Sequence, residues 1–200
     1  MGKVLWHVTM SLDGFISGPE DAMDWVFRYA GPNRDTGDVA QTTGAVLAGR
    51  RSYDVGRAPG RRPEAPKVFG GAWSGPMFVL THEAPPAEED ETISFVSGDI
   101  RRAVRTALSA AGGKNLLVIG ANVAKQCVDA GLIDEILVHS VPLVLGEGVR
   151  FFDRSGLPIE IEPISVNQVG MVVNLRARVV KASNAVLASG NVRVAELPPG

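Results

Sequence analysis

Apolar and polar positions along this chain change their period several times, and the changes mark its elements. Val4-Leu5-Trp6 opens a run to about residue 10 that favours a strand, and turn residues follow at Asp13-Gly14 and Gly18-Pro19. Three further runs, Ala45-Val46-Leu47-Ala48, Met77-Phe78-Val79-Leu80 and Leu116-Leu117-Val118-Ile119, are apolar without alternation, as strands buried on both faces are. Helical spacing is expected over about 22–29, 35–42 and 50–56. Between 100 and 111 it is clearest, because Ile100, Val104 and Leu108 recur at i, i+4 and i+8 while Arg101, Arg102 and Arg105 fall on the other side. Asp99 is the expected N-cap of that helix and Gly112-Gly113 its end.

A strand at 115–119, a helix at about 121–130 closed by Gly131 and a strand at 135–141 make a strand-helix-strand unit, whose crossover implies parallel pairing. Ile93 to Val96 is a short strand. Residues 159–166 and 171–181, around Asn167 to Gly170, read as an antiparallel hairpin added to the sheet. Residues 57–76, rich in Gly, Pro and Arg, read as a long surface loop. The expected fold class is therefore α/β, in one domain over 1–182 with a tail over 183–200.

Composition narrows the function. A chain of 200 residues that is 45% apolar and 21% charged can bury one sizeable core. Its net charge of -2 gives no electrostatic reason for nucleic acid to bind. One cysteine, Cys127, and three scattered histidines, at 7, 82 and 139, offer no metal-ligand spacing, so no metal is expected. The opening residues lack the apolar run of a signal peptide and no segment has membrane-spanning length; a cytoplasmic protein without membrane or nucleic-acid partners is expected.

The candidate chemistry begins at Leu116-Leu117-Val118-Ile119-Gly120-Ala121-Asn122, where a buried strand runs straight into a helix. Such a junction leaves backbone N–H groups at the positive end of the helix dipole, a site for phosphate or pyrophosphate. Two competing motifs fail: Gly112-Gly113-Lys114-Asn115 lacks the spacing and hydroxyl of a P-loop, and no G-x-G-x-x-G follows a strand. Cys127 has no adjacent base in sequence and reads as packing.

Four segments in this order, Thr9 to Gly18, Gly49-Arg50-Arg51-Ser52-Tyr53, Phe78 to His82 and Val118-Ile119-Gly120-Ala121, resemble the dihydrofolate-reductase-like superfamily. Ala130 to Glu135 and Pro142 to Gly148 resemble its riboflavin-reductase-type branch. The resemblance covers about residues 3–181. It implies a three-layer α/β/α fold with a mixed, mostly parallel sheet, an NADPH site and a homodimer. It also implies that Gly49, Arg50, Arg51 and Ser52 hold cofactor phosphates, that Thr81 and His82 meet the adenosine ribose, and that Ile119, Gly120, Ala121, Asn122, Val123 and Ala124 lie under the pyrophosphate. Relatives often carry further glycines after the first, where this chain has Ala121-Asn122.

On the substrate side the resemblance puts Gly18 to Trp25 on a mobile loop, with Met23 and Trp25 near the reacting ring; His139 is a further candidate. Dihydrofolate reductases carry an acidic residue in the following helix, whereas Val26-Phe27-Arg28-Tyr29-Ala30 has none, which argues against dihydrofolate as substrate. Hydride transfer needs a donor carbon held close to an electrophilic carbon in a dry site, with a proton from a side chain or water. Asp13 and Tyr53 are the leading candidates for that supporting role, with Asp24 and His139 behind them.

The function expected is that of an NADPH-dependent reductase of a small heterocyclic or imine-bearing substrate, like the riboflavin-pathway reductase without its deaminase half. A pterin or folate reductase would need Asp35 or Asp38 to replace the missing carboxylate. A dimeric nucleotide-binding protein without turnover would have a blocked substrate cavity.

Overall fold

The computed structural model describes residues 2–58, 67–84, 90–153 and 158–181. The Pro85-Pro86 turn, residues 59–66 of the expected surface loop and the tail expected after Ser183 lie outside them.

In chain order the elements are β1 (Val4–Ser11), β2 (Phe15–Ser17), α1 (Arg34–Thr42), β3 (Thr43–Gly49), α2 (Arg50–Arg57), β4 (Met77–Leu80), β5 (Ile93–Val96), α3 (Ile100–Ala110) and β6 (Asn115–Ile119). Then come α4 (Ala121–Asp129), β7 (Glu135–Val141), β8 (Val149–Arg150), β9 (Ile161–Val169) and β10 (Val172–Val179). Eight strands form one sheet in the order β5-β4-β3-β6-β1-β7-β10-β9. Pairing is parallel from β5 through β7 and antiparallel from β7 to β10 and from β10 to β9.

Because side chains alternate across a strand, the unbroken apolar runs feed two cores at once. Trp6, Leu47, Leu116 and Val118 face α3 and α4, where Val104, Ala107, Val123 and Cys127 meet them. Leu5, Val46, Leu117 and Leu137 face the other way, onto Val39 of α1. These are the three layers. At the N-terminus of α3 the Asp99 side chain accepts a hydrogen bond from the Arg102 N–H at 3.0 Å, so that the sequence signal is seen as a cap. At the start of β7, burial would push the Glu135 carboxyl up, but hydrogen bonds from Lys3 and Arg176 outweigh it and hold it below its ordinary range.

Three sequence expectations need correction. Residues 68–73 are not surface loop: Val68, Phe69 and Trp73 pack on the α1 face of the sheet, and the Trp73 indole donates to the Thr43 carbonyl at 3.0 Å. Glycines and prolines around these aromatics masked their burial. The helix expected over 22–29 is a short 3₁₀ turn, Asp24–Arg28, held by the buried Trp25. The hairpin turns at Gly170-Met171, so β9 runs on to Val169 through the asparagine that the sequence suggested for the turn. The small β2–β8 pairing carried no sequence signal.

From β3 the chain steps outward to β4 and β5, and α3 then carries it back to β6, between β3 and β1. Reversal of strand order opens a crevice at the carboxyl ends of β3 and β6.

Candidate functional site

A cavity of about 1000 Å³ occupies that crevice. Its floor is the end of β3 and the start of α2 (Gly49, Arg50, Arg51, Ser52) beside the end of β6 and the start of α4 (Ile119, Gly120, Ala121, Asn122, Val123). One end is closed by Thr81 and His82 after β4, and the other by Trp6 to Thr9 of β1 with Met23 and Phe27 above them.

The floor is built from backbone. Gly49 and Gly120 are the N-cap positions of α2 and α4, and no side chain caps either helix. The first-turn N–H groups of two helices thus open into one crevice, and the two dipoles add there. Gly120 has φ +97°, and a Cβ on it would overlap Ser52 Oγ and lie 3.7 Å from the backbone nitrogen of Gly49. Only glycine lets the two helix starts approach this closely.

Each arginine is held by an acid. Arg50 Nε donates to both carboxylate oxygens of Asp54, at 2.8 and 2.9 Å, and Nη1 donates to the Glu83 carbonyl at 3.1 Å, which ties α2 to the end of β4. Arg51 Nε donates at 2.7 Å to Asp21, which also lines the cavity. An anion arriving here meets positioned guanidinium groups but competes with Asp21 and Asp54 for them.

Other expected residues lie elsewhere. Ala124 is fully buried in the α4 core, one position beyond the lining. Trp25 does not line the cavity; it packs with Val141 and Val172, and its indole donates to the Ala22 carbonyl at 3.1 Å. Tyr53 points away, its ring edge-on to Phe95 at 5.3 Å with the Arg57 guanidinium 4.2 Å above it. Asp13 is a loop anchor: it accepts from Ser11 Oγ at 2.7 Å and from the N–H groups of Leu145 and Gly146 at 3.1 and 2.7 Å. The Ser11 hydroxyl first, then those N–H groups, bring its pKa down to about 2. A carboxyl so held is ionised at neutral pH and outside the cavity, so the proton-supplying role expected of Asp13 is corrected to a structural one. Asp35 and Asp38 do not line the cavity either.

His139, buried in β7, stops just short of the lining, and its Nε2 lies 2.6 Å from Nε2 of His7, which does line it. His7 was missed by the sequence reading. The one available signal was a polar residue inside an apolar strand; nothing local links residue 7 to 139. Among the described residues no group of three or more His, Cys, Asp or Glu could hold a metal ion. Burial pushes the Cys127 thiol up to about 12, so it stays protonated. No helix among the described residues is long and apolar enough to cross a membrane.

Comparison with known proteins finds the same architecture. The family model of the RibD C-terminal domain matches residues 59–175. A Bacillus subtilis protein, YwjB, described as uncharacterized, is 26% identical over 176 residues, covering 86% of this chain and 95% of its own. A putative riboflavin biosynthesis protein from Shewanella sp. PV-4 superposes with a TM-score of 0.74 at 23% identity, over 90% of this chain and 100% of that one. A diaminohydroxyphosphoribosylaminopyrimidine deaminase/5-amino-6-(5-phosphoribosylamino)uracil reductase from Thermotoga maritima superposes with a TM-score of 0.64 at 16% identity, over 90% of this chain and 57% of that one. The fold is dihydrofolate-reductase-like, of the riboflavin-reductase type.

Proposed function

The chain belongs to the RibD C-terminal domain family, and on that footing we propose that it is an NADPH-dependent reductase that delivers hydride to a small heterocyclic or imine-bearing substrate. The observation that carries this reading is the convergence of two uncapped helix starts, at Gly49 and Gly120, on the floor of one large cavity. A pyrophosphate fits such a cradle: it takes backbone N–H groups, favours the positive ends of two dipoles, and needs a wall without a Cβ where Gly120 stands.

When bound, NADPH would supply the hydride. The protein's own work is positioning and exclusion of water. Ser52 and the N–H groups of α2 and α4 would hold phosphate, Arg50 and Arg51 would add positive charge, and Thr81 with His82 would receive the adenosine end. At the β1 end of the cavity Trp6, Val8, Met23 and Phe27 would give the nicotinamide apolar walls that keep water from the reacting carbons. Turnover rather than binding alone is supported by this end of the cavity, which is open and carries polar groups on His7 and Thr9. Asp13 and Tyr53 stand away from the lining, whereas Asp24 lines it, so the proton for the substrate nitrogen comes from water or from Asp24.

The same reading includes a homodimer. Ile164 and Val166 of β9 and Val173 of β10 are exposed apolar residues at the sheet's antiparallel end, and a second copy would cover them.

Cofactor fluorescence tests the reading. The wild type is expected to bind NADPH at micromolar concentration and NADH more weakly, and Arg50→Ala to weaken NADPH about tenfold, equivalent to about 1.4 kcal/mol. Absence of binding by either nucleotide would leave the fold without the function.

A further inference from the structure

His7 lies where the cavity meets a polar cluster that the cofactor reading does not use. The cluster joins parts of the chain far apart in sequence. Thr9 of β1 is in register with His139 of β7, and His7 with Leu137, so both imidazoles stand on the α1 face of the sheet. Their rings meet edge to face, with centroids 4.7 Å apart, and Phe69 stacks on His7 with centroids 5.7 Å apart.

The hydrogen bonds beyond them have one direction. Asn167 Nδ2 donates to the Asp35 carboxylate at 2.8 Å, and Asn174 Nδ2 donates to Asn167 Oδ1 at 2.7 Å. Asn174 Oδ1 accepts from Asn33 Nδ2 at 3.0 Å and also faces His139 Nδ1. An amide oxygen can only accept, so Nδ1 of His139 carries the proton and its Nε2 presents a lone pair. The proton in the 2.6 Å contact therefore sits on Nε2 of His7. The run from His7 through His139, Asn174 and Asn167 donates away from the cavity, toward Asp35, while Asn33 donates into that run at Asn174 and Thr36 Oγ1 lies 3.3 Å from His139 Nε2. A neutral His7 is left with a bare Nδ1. No hydrogen bond is made to Nδ1 among the described residues, and no buried side-chain nitrogen or oxygen among them lacks a partner, so Nδ1 is not sealed off, and the residue that carries it lines the cavity.

We propose that His7 is the substrate-orienting residue of this site, a hydrogen-bond acceptor positioned by His139 and Asn174 that selects a heterocycle bearing a ring N–H. The inference rests on the reductase reading for the location of the substrate, at the β1 end of the cavity, which His7, Thr9 and Met23 line. Neutrality follows from the surroundings: burial first, then His139 and Arg176, lower the His7 pKa to about 3, and burial lowers that of His139. Such a group accepts a hydrogen bond at neutral pH but supplies no proton. A ligand without the donor would desolvate Nδ1 without replacing its water.

The probes are 5,6-diaminouracil and its 1,3-dimethyl derivative, which lacks both ring N–H groups, titrated into the protein with and without NADP+. Wild type is expected to bind the first at least tenfold more tightly than the second. His7→Phe should weaken the first at least tenfold, leave the second unchanged and leave NADPH affinity intact. His139→Phe should weaken the first likewise, and long-range ¹⁵N–¹H spectra should show His7 passing from a single Nε2–H tautomer to a mixture. Equal affinity of wild type and His7→Phe for diaminouracil would overturn the proposal. So would a wild-type His7 protonated on Nδ1, or a wild type that binds NADPH but not diaminouracil. Failure of the reductase reading would appear separately, as absence of NADPH binding to the wild type; the tautomer and the titration without NADP+ would still decide the role of His7.

Discussion

The two ends of the cavity are built in opposite ways. At the helix-start end the ligand-facing groups are backbone N–H donors delivered by two strand-to-helix turns, each contained in a few consecutive residues. At the β1 end they are side chains, and the one with directed chemistry, His7, depends on His139, Asn174, Asn167 and Asp35, spread over three strands and a helix. A backbone site tolerates most side-chain changes and fails when a Cβ intrudes. A side-chain network fails when any link is lost, yet its loss leaves the floor of the cavity in place.

The largest expected effect tests the first end. Gly120→Val puts a β-branched side chain at φ +97° and against Ser52, so NADPH binding should fall at least a hundredfold, with a stability loss of about 1–3 kcal/mol in urea unfolding from the strained backbone. Undiminished NADPH binding by this variant would break the contrast.

Next is the acid response of the second end. The pKa of His7 is about 3 in the folded protein against an ordinary 6.5, so the unfolded chain takes up a proton that the folded one excludes. The neutral His7 therefore contributes stability that is whole above pH 6.5 and is lost as pH falls from there toward 3. The slope approaches about 1.4 kcal/mol per pH unit for each excluded proton. Urea unfolding across that range should show the slope in wild type and a shallower one in His7→Phe; equal slopes would place the acid sensitivity elsewhere.

Dimerisation is tested by Val166→Lys, an exposed position on β9 that does not line the cavity. Sedimentation should show a shift from dimer to monomer with NADPH affinity unchanged. The smallest effect is expected from Asp21→Asn, which releases Arg51 from an exposed ion pair. NADPH should bind more tightly, but by no more than a few fold, because such pairs are worth about 0–1 kcal/mol.

The same division explains what could be read in advance. The junction at Ile119 to Val123 was legible as a strand-to-helix turn because a buried strand, a glycine and a helix start are all local signals, whereas the phosphate role of Gly49 and Arg50 to Ser52 came only from the family resemblance. Asp13 and Tyr53 looked equally well placed in sequence, since a strand-end Asp-Gly and a helix-start tyrosine sit near the same turns. Yet Asp13 is taken by the N–H groups of Leu145 and Gly146, and Tyr53 by Phe95 as well as by Arg57 one helical turn on, and Leu145, Gly146 and Phe95 are far away in sequence. Trp25 was expected near the reacting ring, but it is buried instead against Val141 and Val172, which lie far along the chain.

Apolar periodicity and glycine-marked turns by themselves determined the α/β class, most of the strands and the strand-to-helix turn at Gly120, because those features follow from backbone conformation over a few residues. Only the tertiary structure decided that β6 inserts between β3 and β1, that residues 68–73 lie under the sheet, and that His7 and His139 share a proton-bearing contact. Strand register sets which side chains stand together, and register is fixed by pairings between residues more than a hundred positions apart.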